Sequence, residues 1–302
     1  MMKVLRTPDS CFENLPGYDY APNYLMIQDE DGTELRVHYI DEGPREAQPI
    51  LLMHGNPSWS YIYRKMIPGL LETGRRVIAV DLIGLGRSDK PAKRSDYTQA
   101  RHISWMQKWL GGLDLNHITL VCQDWGGVIG LNLVADNPDR FDRVVVANSG
   151  LPAGEGGTQG LQTWQFIMKF LPLFPLKTAM TRAIKAEGFS DAEFRAYRAP
   201  FPSLRYQAGI LSFPGLIALF PDNPGVPGNQ AAWEKLGNFN KPVLTLFGNR
   251  DPMTRGIEKV IQERIPGACG QNHKIIRGGG HFIQEDKPEE LVAEIIPFLQ
   301  VS

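Results

Sequence analysis

Short runs of apolar residues alternate with longer amphipathic stretches from about residue 36 onward. The short runs are rich in β-branched residues and end at Gly, Asp or Asn, which is typical of buried strands. They predict strands at Arg36–Ile40, Pro49–Met53, Arg76–Val80, Ile118–Cys122, Arg143–Ala147, Pro242–Phe247 and Lys274–Ile276. The longer stretches have helical spacing and predict helices at Trp59–Leu71, Thr98–Leu113, Trp125–Asn137 and Lys287–Leu299. Apolar strands separated by helices indicate an α/β fold with a mostly parallel sheet flanked by helices.

The alternation stops between residues 152 and 229. This stretch is rich in Gly, Pro, Phe, Leu and Ala, and it shows short helical patterns separated by prolines but no strand pattern. Gly154–Gly160 is predicted to be a flexible entry, and Pro221–Gly225 with Pro227-Gly228 an exit. We therefore predict a helical cap at 152–229, inserted after the sixth strand between two parts of the α/β core, 1–151 and 230–302.

Composition narrows the functional classes. The 302 residues are 42% hydrophobic and 22% charged, which is ordinary for a globular protein and argues against disorder. A net charge of −1 provides no basic field for a phosphate backbone, so we predict no nucleic-acid partner.

Cysteine usage and hydropathy indicate the compartment. Cys11, Cys122 and Cys269 have no paired spacing, which argues against a disulfide framework or a thiolate zinc site and fits a reducing cytosol. The first residues are polar and mixed, unlike a signal peptide, and no apolar stretch approaches the roughly 18 residues of a membrane span. We expect a cytoplasmic protein without a membrane partner.

The segment from Ile118 to Val128 carries the strongest chemical signal. An apolar strand ends, a small–x–acid–x–small pentapeptide follows at 122–126, and a helix begins at once. Small residues allow the close backbone approach of a sharp strand-to-helix turn, which raises one side chain beside the N–H groups of the helix. Here that side chain is Asp124, where Ser is usual. The alternative is that Asp124 only caps the helix.

Three further motifs follow predicted strands. The His-Gly-Asn-Pro turn at 54–57 can direct the backbone N–H of Asn56 at the same reacting atom. The glycines at 278–280 leave the imidazole of His281 free at the carboxyl end of a strand, where ligands collect. Asp251 also follows a strand and could orient His281, whereas the competing position, after Ala147, holds Asn148. The alternatives are a structural His54 and an Asp-Pro turn at 251–252.

The chain order nucleophile Asp124, acid Asp251, base His281 is that of the α/β-hydrolase fold. An ionised carboxylate suits displacement at saturated carbon, which gives an alkyl ester. Water activated by His281 can hydrolyse that ester while the backbone N–H groups of Asn56 and Trp125 hold the oxyanion. A halide leaving group needs only hydrogen-bond donors, whereas an epoxide oxygen needs an acid.

Gln-Asp-Trp-Gly-Gly at 123–127, His-Gly-Asn-Pro at 54–57, the Asp251 turn and Gly-His-Phe at 280–282 resemble the haloalkane dehalogenases. The resemblance implies that Trp125 donates its indole N–H to the halide. It also implies a second donor from the cap, for which Trp164 is the candidate because no other Trp lies between 126 and 232. Other members use the Asn side chain at the position of Asn56, so the dominant second donor stays open. The alternative for Trp164 is core packing within a helix at Leu161–Phe170.

The same resemblance implies hydrolysis of a small apolar halogenated substrate to alcohol, halide and proton, without metal or organic cofactor. Oligomeric state is open, with a monomer favoured. Apolar cap residues are expected to line a dry pocket or to pack the cap: Phe166, Phe170, Leu171 and Phe174.

Three other functions compete with dehalogenation. An epoxide hydrolase would share the Asp nucleophile and use two cap tyrosines as acids, for which Tyr197 and Tyr206 are available. Relatives that act on haloacids would want Arg after the nucleophile, where this chain has Trp125. A non-enzymatic receptor on this fold would bind a small signal in the cap pocket, and it would not need the intact Asp–His–Asp set.

Overall fold

The computed structural model describes residues 1–186 and 189–301, and a central eight-stranded sheet organises them. The strands of this sheet are β2 (Asn23–Gln28), β3 (Glu34–Glu42), β4 (Pro49–Met53), β5 (Arg76–Val80), β7 (Ile118–Gln123), β8 (Phe141–Ala147), β9 (Val243–Gly248) and β10 (Lys274–Ile276). Two short strands, β1 (Val4–Leu5) and β6 (Lys90–Pro91), form a separate antiparallel pair.

The strand order of the large sheet is β10-β9-β8-β7-β4-β5-β3-β2. Only β3 runs against its neighbours, β2 and β5, and every other pairing is parallel. Leu52 in β4 pairs with Ala79 on one side and Val121 on the other, and all three side chains are buried. The mostly parallel sheet predicted from the apolar runs is confirmed. The parallel strands β4, β7, β8, β9 and β10 end at one edge, where the loops with the candidate residues meet.

Helices separate the strands and fill the region between β8 and β9. The helices outside that region are α1 (Ile67–Leu71), α2 (Gln99–Gly112), α3 (Trp125–Asp136), α9 (Ile257–Arg264), α10 (Ile283–Asp286) and α11 (Pro288–Phe298). Between the two strands lie α4 (Gln159–Phe170), α5 (Leu176–Ala183), α6 (Asp191–Arg198), α7 (Ala208–Leu216) and α8 (Val226–Leu236). The insertion falls after the sixth strand of the large sheet, and the described part of 152–229 contains no strand, as its sequence pattern indicated.

Two predicted elements need correction, and one strand of the large sheet was not predicted. The single helix predicted at Trp59–Leu71 is instead a 3-10 turn at Ser60–Tyr63 followed by the short α1, which begins just before Pro68. The strand β2 was missed because this edge strand buries little of its length and lacks a continuous apolar run. Pro227 and Gly228 lie in the first turn of α8 rather than in a loop, since Pro is tolerated there.

The predicted cap boundary at residue 229 therefore falls inside α8. Residues of α8 on both sides of this boundary bind the predicted core, because Asn229 accepts a hydrogen bond from Asn132 in α3 at 3.1 Å and the Trp233 indole donates to Leu151 O at 2.7 Å. The division into 1–151, 152–229 and 230–302 stays a prediction. In the described part of the chain, no helix combines the length and apolar character needed to cross a bilayer.

Candidate active site

Asp124 lies at the tip of the turn between β7 and α3. Its backbone has φ 50° and ψ −124°, a strained conformation that a non-glycine residue seldom adopts. Its side chain makes no cap hydrogen bond to α3, and its Oδ1 instead accepts the backbone N–H of Asn56 at 2.7 Å. The helix-cap alternative is therefore wrong, and the His-Gly-Asn-Pro turn reaches the nucleophile position as its sequence indicated.

Glycines make this close approach possible. A Cβ on Gly55 would collide with the Asp124 carboxylate, and a Cβ on Gly126 would collide with the carbonyl oxygen of Met53 at the end of β4. Gly126, one of the two small residues that flank the acid in the sequence, is thus required by contact between two neighbouring strand ends.

His281 lies between the other two predicted catalytic residues. Its Nδ1 is 2.9 Å from Asp251 Oδ2, and its Nε2 is 3.3 Å from Asp124 Oδ2. Asp251 is fully buried and also accepts hydrogen bonds from the Thr254 hydroxyl and the Met253 backbone N–H. The structure thus brings all three residues together, and Asp251 rather than Asn148 is the acid beside His281.

The two carboxylates control the protonation of His281. Burial by itself would lower the pKa of this imidazole, but Asp251 and Asp124 outweigh burial and raise the pKa to about 10. Burial would raise the pKa of Asp251, yet His281 and the bonds from Thr254 and Met253 lower it. Both shifts favour the charged form of the buried His281–Asp251 pair over a neutral one.

Asn148 and Gln123 support this arrangement, and the sequence reasoning assigned no role to either. Asn148 follows β8 with φ 40°, and its amide donates to the carbonyls of Gly280 and His281 while accepting the Gly248 N–H at 2.7 Å. Gln123 also donates to the His281 carbonyl, at 3.0 Å. An Asn at a strand end is the sequence feature that could have drawn attention to Asn148, because Asn tolerates positive φ better than most residues.

A cavity of about 460 Å³ lies against Asp124 and His281. Most of its lining is apolar, and both Trp125, at the start of α3, and Trp164, in α4, contribute to it. Asn56 lines it too, and within residues 1–186 and 189–301 its buried Oδ1 has no hydrogen-bond partner. The two tryptophans and Asn56 that were predicted to bind halide thus share one cavity with the predicted nucleophile.

Only one of the four predicted apolar cap residues lines this cavity. Leu171 does, but Phe166 and Phe170 are 67% and 68% exposed, and Phe174 is buried against Trp164. Phe166 and Phe170 are exposed because the helical period places them on a different face of α4 from the residues that line the cavity. The residues of 159–171 that do line the cavity are Gly160, Leu161, Thr163, Trp164, Ile167, Met168 and Leu171.

The two cap tyrosines lie elsewhere. Tyr197 is fully buried and its hydroxyl donates to Glu285 Oε1 at 2.5 Å, while the Tyr206 hydroxyl accepts a hydrogen bond from Arg205. Among the described residues that line the cavity, neither tyrosine occurs. Neither Tyr197 nor Tyr206 is therefore placed to act as the acid that an epoxide hydrolase would need.

His54 is structural, as its alternative interpretation stated. It is fully buried, its Nδ1 contacts the Gly55 carbonyl oxygen at 2.9 Å, and its Nε2 accepts the Leu82 backbone N–H at 3.1 Å. Burial lowers the pKa of His54, so the ring is neutral and fixes the turn before Asn56.

Comparisons with known proteins agree with this geometry. A family model described as alpha/beta hydrolase fold matches residues 48–288. A haloalkane dehalogenase from Psychrobacter cryohalolentis is 51% identical over 299 residues, which cover 99% of this chain and 98% of that protein. One from Mycobacterium marinum is 45% identical over 296 residues, with 98% and 99% covered.

A solved structure is similar along the whole chain. The tetrameric haloalkane dehalogenase from Paraglaciecola agarilytica NO2 superposes with a TM-score of 0.89 at 32% identity, covering 100% of this chain and 99% of that one. Full-length identity to several dehalogenases, together with a matching α/β-hydrolase sheet, does not favour the epoxide hydrolase alternative. The chain belongs to the haloalkane dehalogenase family, within the alpha/beta hydrolase fold.

Proposed function

We propose that this haloalkane dehalogenase converts a haloalkane and water into alcohol, halide and a proton through an alkyl ester on Asp124. As a member of its family, the chain is a hydrolase that acts on carbon–halide bonds. The observation that carries the proposed residue roles is the His281 imidazole, which lies 3.3 Å from Asp124 and 2.9 Å from Asp251 beside a mainly apolar cavity.

In the first step, a carboxylate oxygen of Asp124 attacks the carbon that bears the halogen. A C–O bond forms as the carbon–halogen bond breaks, and the halide leaves with the bonding electrons. The mainly apolar walls of the cavity offer water few partners, which strengthens the hydrogen bonds that receive the halide. The indole N–H groups of Trp125 and Trp164 are the proposed donors, and the Asn56 side chain remains the competing second donor.

In the second step, His281 takes a proton from water and the resulting hydroxide attacks the ester carbonyl carbon of Asp124. Formation of the ester removes the Asp124 charge, which is one of the two charges that raise the pKa of His281. The imidazole then loses its proton to solvent more readily and becomes a base. The Asn56 N–H, 2.7 Å from Asp124 Oδ1, is positioned to stabilise the tetrahedral oxyanion. Collapse of this intermediate breaks the bond between the carbonyl carbon and the alkyl oxygen, and that oxygen takes the proton from His281 and leaves as the alcohol. The new carboxyl group of Asp124 then gives its proton to His281, which restores the starting state.

Removing the base should stop the reaction halfway. We expect His281→Gln to release about one equivalent of halide from 1-bromohexane and to retain the alkyl group on Asp124, because displacement needs no base. Intact mass spectrometry measures the adduct, and peptide mapping locates it. A variant without any covalent adduct would contradict the two-step assignment.

Oxygen labelling tests the same scheme in the unmodified protein. During multiple turnovers in H₂¹⁸O, the hydrolytic step should put ¹⁸O into the Asp124 side chain, since the attacked carbonyl carbon belongs to that residue. A paired assay, halide release from a bromoalkane against diol formation from an aryl epoxide, addresses the competing activity. Diol without halide would favour epoxide hydrolysis.

The remaining expectations stay predictions from the sequence. They are a cytoplasmic location, a reaction without metal or organic cofactor, and an open oligomeric state in which a monomer is favoured. Because the relative from Paraglaciecola agarilytica NO2 is a tetramer, analytical ultracentrifugation is the direct test of the monomer.

A further inference from the structure

Asp286 connects the loop that carries His281 to the helical insertion. It is the last residue of α10, and its carboxylate accepts three backbone N–H groups from two distant parts of the chain. Oδ1 accepts from Lys185 and Ala186, at 2.7 Å each, and Oδ2 accepts from Gly280 at 2.6 Å. Lys185 and Ala186 follow α5 closely, and Gly280 directly precedes His281. A single side chain thus binds both segments.

A second contact makes this connection close. The His281 backbone N–H donates to the carbonyl oxygen of Ala183, the last residue of α5, at 3.1 Å. A Cβ on Gly280 would collide with the same oxygen. The backbone of Gly280 and His281 is therefore held against the end of α5. Asp286 binds both segments, the one that contains Gly280 and the one that follows α5.

We propose that Asp286 is a positioning residue for the hydrolytic step. By holding the Gly280 peptide against the insertion, it sets where His281 Nε2 lies relative to the ester on Asp124. This inference rests on the two-step reaction proposed above. Its effect falls mainly on this step, because the Asp286 carboxylate accepts hydrogen bonds from Gly280, Lys185 and Ala186 among the described residues, and none from the groups proposed for displacement. Those groups are Asp124, Trp125 and the second halide donor, Trp164 or Asn56.

The substitution Asp286→Asn separates the two halves of the connection. An amide has one acceptor oxygen, which satisfies two N–H groups if it faces Lys185 and Ala186 but only one if it faces Gly280. The favoured orientation keeps the contacts to the insertion and turns the NH₂ group toward the Gly280 N–H, where donor meets donor. The variant therefore loosens mainly the peptide next to His281. Asp286→Ala removes all three contacts.

A single-turnover experiment with 1-bromohexane measures both steps. Rapid quenching gives the rate of halide release, and intact mass gives the rise and decay of the alkyl ester. For Asp286→Asn we expect halide release within about twofold of the unmodified protein and ester decay slowed roughly 10-fold, since displacing a catalytic group by a fraction of an ångström has costs of that order. Asp286→Ala should slow ester decay further.

The ratio of the two rate constants is the decisive quantity, because it does not depend on how much of a variant is folded. Asp31→Asn is the matched control, since this carboxylate also accepts a backbone N–H, from Thr33 at 2.9 Å, but lies near the N-terminus. Its ratio should not change. An unchanged ratio in both Asp286 variants, or equal slowing of the two steps, would overturn the inference. Failure of the unmodified protein to form any ester would instead overturn the proposed two-step reaction.

Discussion

At the residue scale, two carboxylates share the His281 imidazole and differ in their surroundings. Asp251 is fully buried and hydrogen-bonded to Thr254 and Met253, so it is held in place. Asp124 remains open to the cavity, so it can reach a substrate. The proposed nucleophile is thus accessible, while the carboxylate proposed to orient His281 is fixed by the protein.

The raised pKa of His281 makes stability depend on pH. Because the pKa is about 10 in the folded protein against an ordinary value of 6.5, folding binds this proton more tightly. This contribution is complete below the unfolded value and is lost as the pH rises toward the folded value. Comparing the unmodified protein with His281→Gln, we expect the difference in unfolding free energy to shrink by roughly 4 kcal/mol across that window.

Denaturant unfolding at several pH values measures this difference. Subtracting the variant removes other groups that titrate in the same window, such as buried Lys90, whose pKa is lowered by burial to about 7. Asp124→Asn should reduce the pH dependence, since one of the two charges that raise the pKa of His281 is gone. A constant difference between pH 6.5 and 10 would contradict the charged pair.

The sequence identified six residues that the structure brings to one cavity or to the imidazole beside it: Asn56, Asp124, Trp125, Trp164, Asp251 and His281. Each reactive one follows a predicted strand, and parallel strands end at one edge, so their proximity could be inferred. The orientation of Asn148 and Gln123 could not be inferred, because their partners are backbone atoms far away in the chain.

At the element scale, the site depends on strand ends that are fastened to one another. Asn148 at the end of β8 binds the Gly248 N–H at the end of β9 and the Gly280 carbonyl beyond β10. The Ser149 hydroxyl donates to the Asp124 carbonyl at 2.6 Å, so the turn after β7 is also bound to the end of β8. Hydrogen bonds from side chains therefore hold the strand ends together beyond the last backbone pairing.

Replacing Asn148 should weaken the fold measurably. Asn148→Ala leaves a buried N–H and carbonyl groups without their partners, so we expect it to lower the free energy of unfolding by about 3 kcal/mol. Exposed Asn116, whose amide donates to Asp114 O, offers the control Asn116→Ala, with an expected change within about 0.5 kcal/mol. Urea titration measures both. Equal stability of the two variants would contradict the role of Asn148 in joining the strand ends.

At the scale of the whole molecule, a buried ionic network attaches the insertion to the rest of the chain. Arg64 forms ion pairs with Glu285 in α10 and with Glu193 in α6, and Tyr197 of α6 donates to Glu285. The Arg64 and Glu285 side chains are only 3% and 2% exposed, so the loss of one partner would leave a buried charge unsatisfied. The insertion is thus held by Arg64 and by Glu285, which lies on the helix that follows His281.

Tyr197 therefore serves stability rather than chemistry. Tyr197→Phe removes a hydrogen bond to a buried carboxylate, so we expect about 2 kcal/mol less stability. Halide release from a bromoalkane should stay within about twofold of the unmodified rate, because the hydroxyl is not needed in the reaction. Tyr206→Phe, whose hydroxyl accepts only from Arg205 among the described residues, should change neither quantity much. Loss of activity in Tyr197→Phe would revive an acid role for this tyrosine.

The sequence by itself determined the α/β pattern, the insertion after the sixth strand and the candidate reactive residues, because periodicity and strand-end motifs are local. Only the tertiary structure decided what depends on distant contacts. It turned Phe166 and Phe170 outward and placed Tyr197 on Glu285. It also set the Gly280–His281 peptide against the end of α5 through Asp286. Those arrangements arise from backbone groups and charges that meet only after folding, so the spacing of residues along the chain does not predict them.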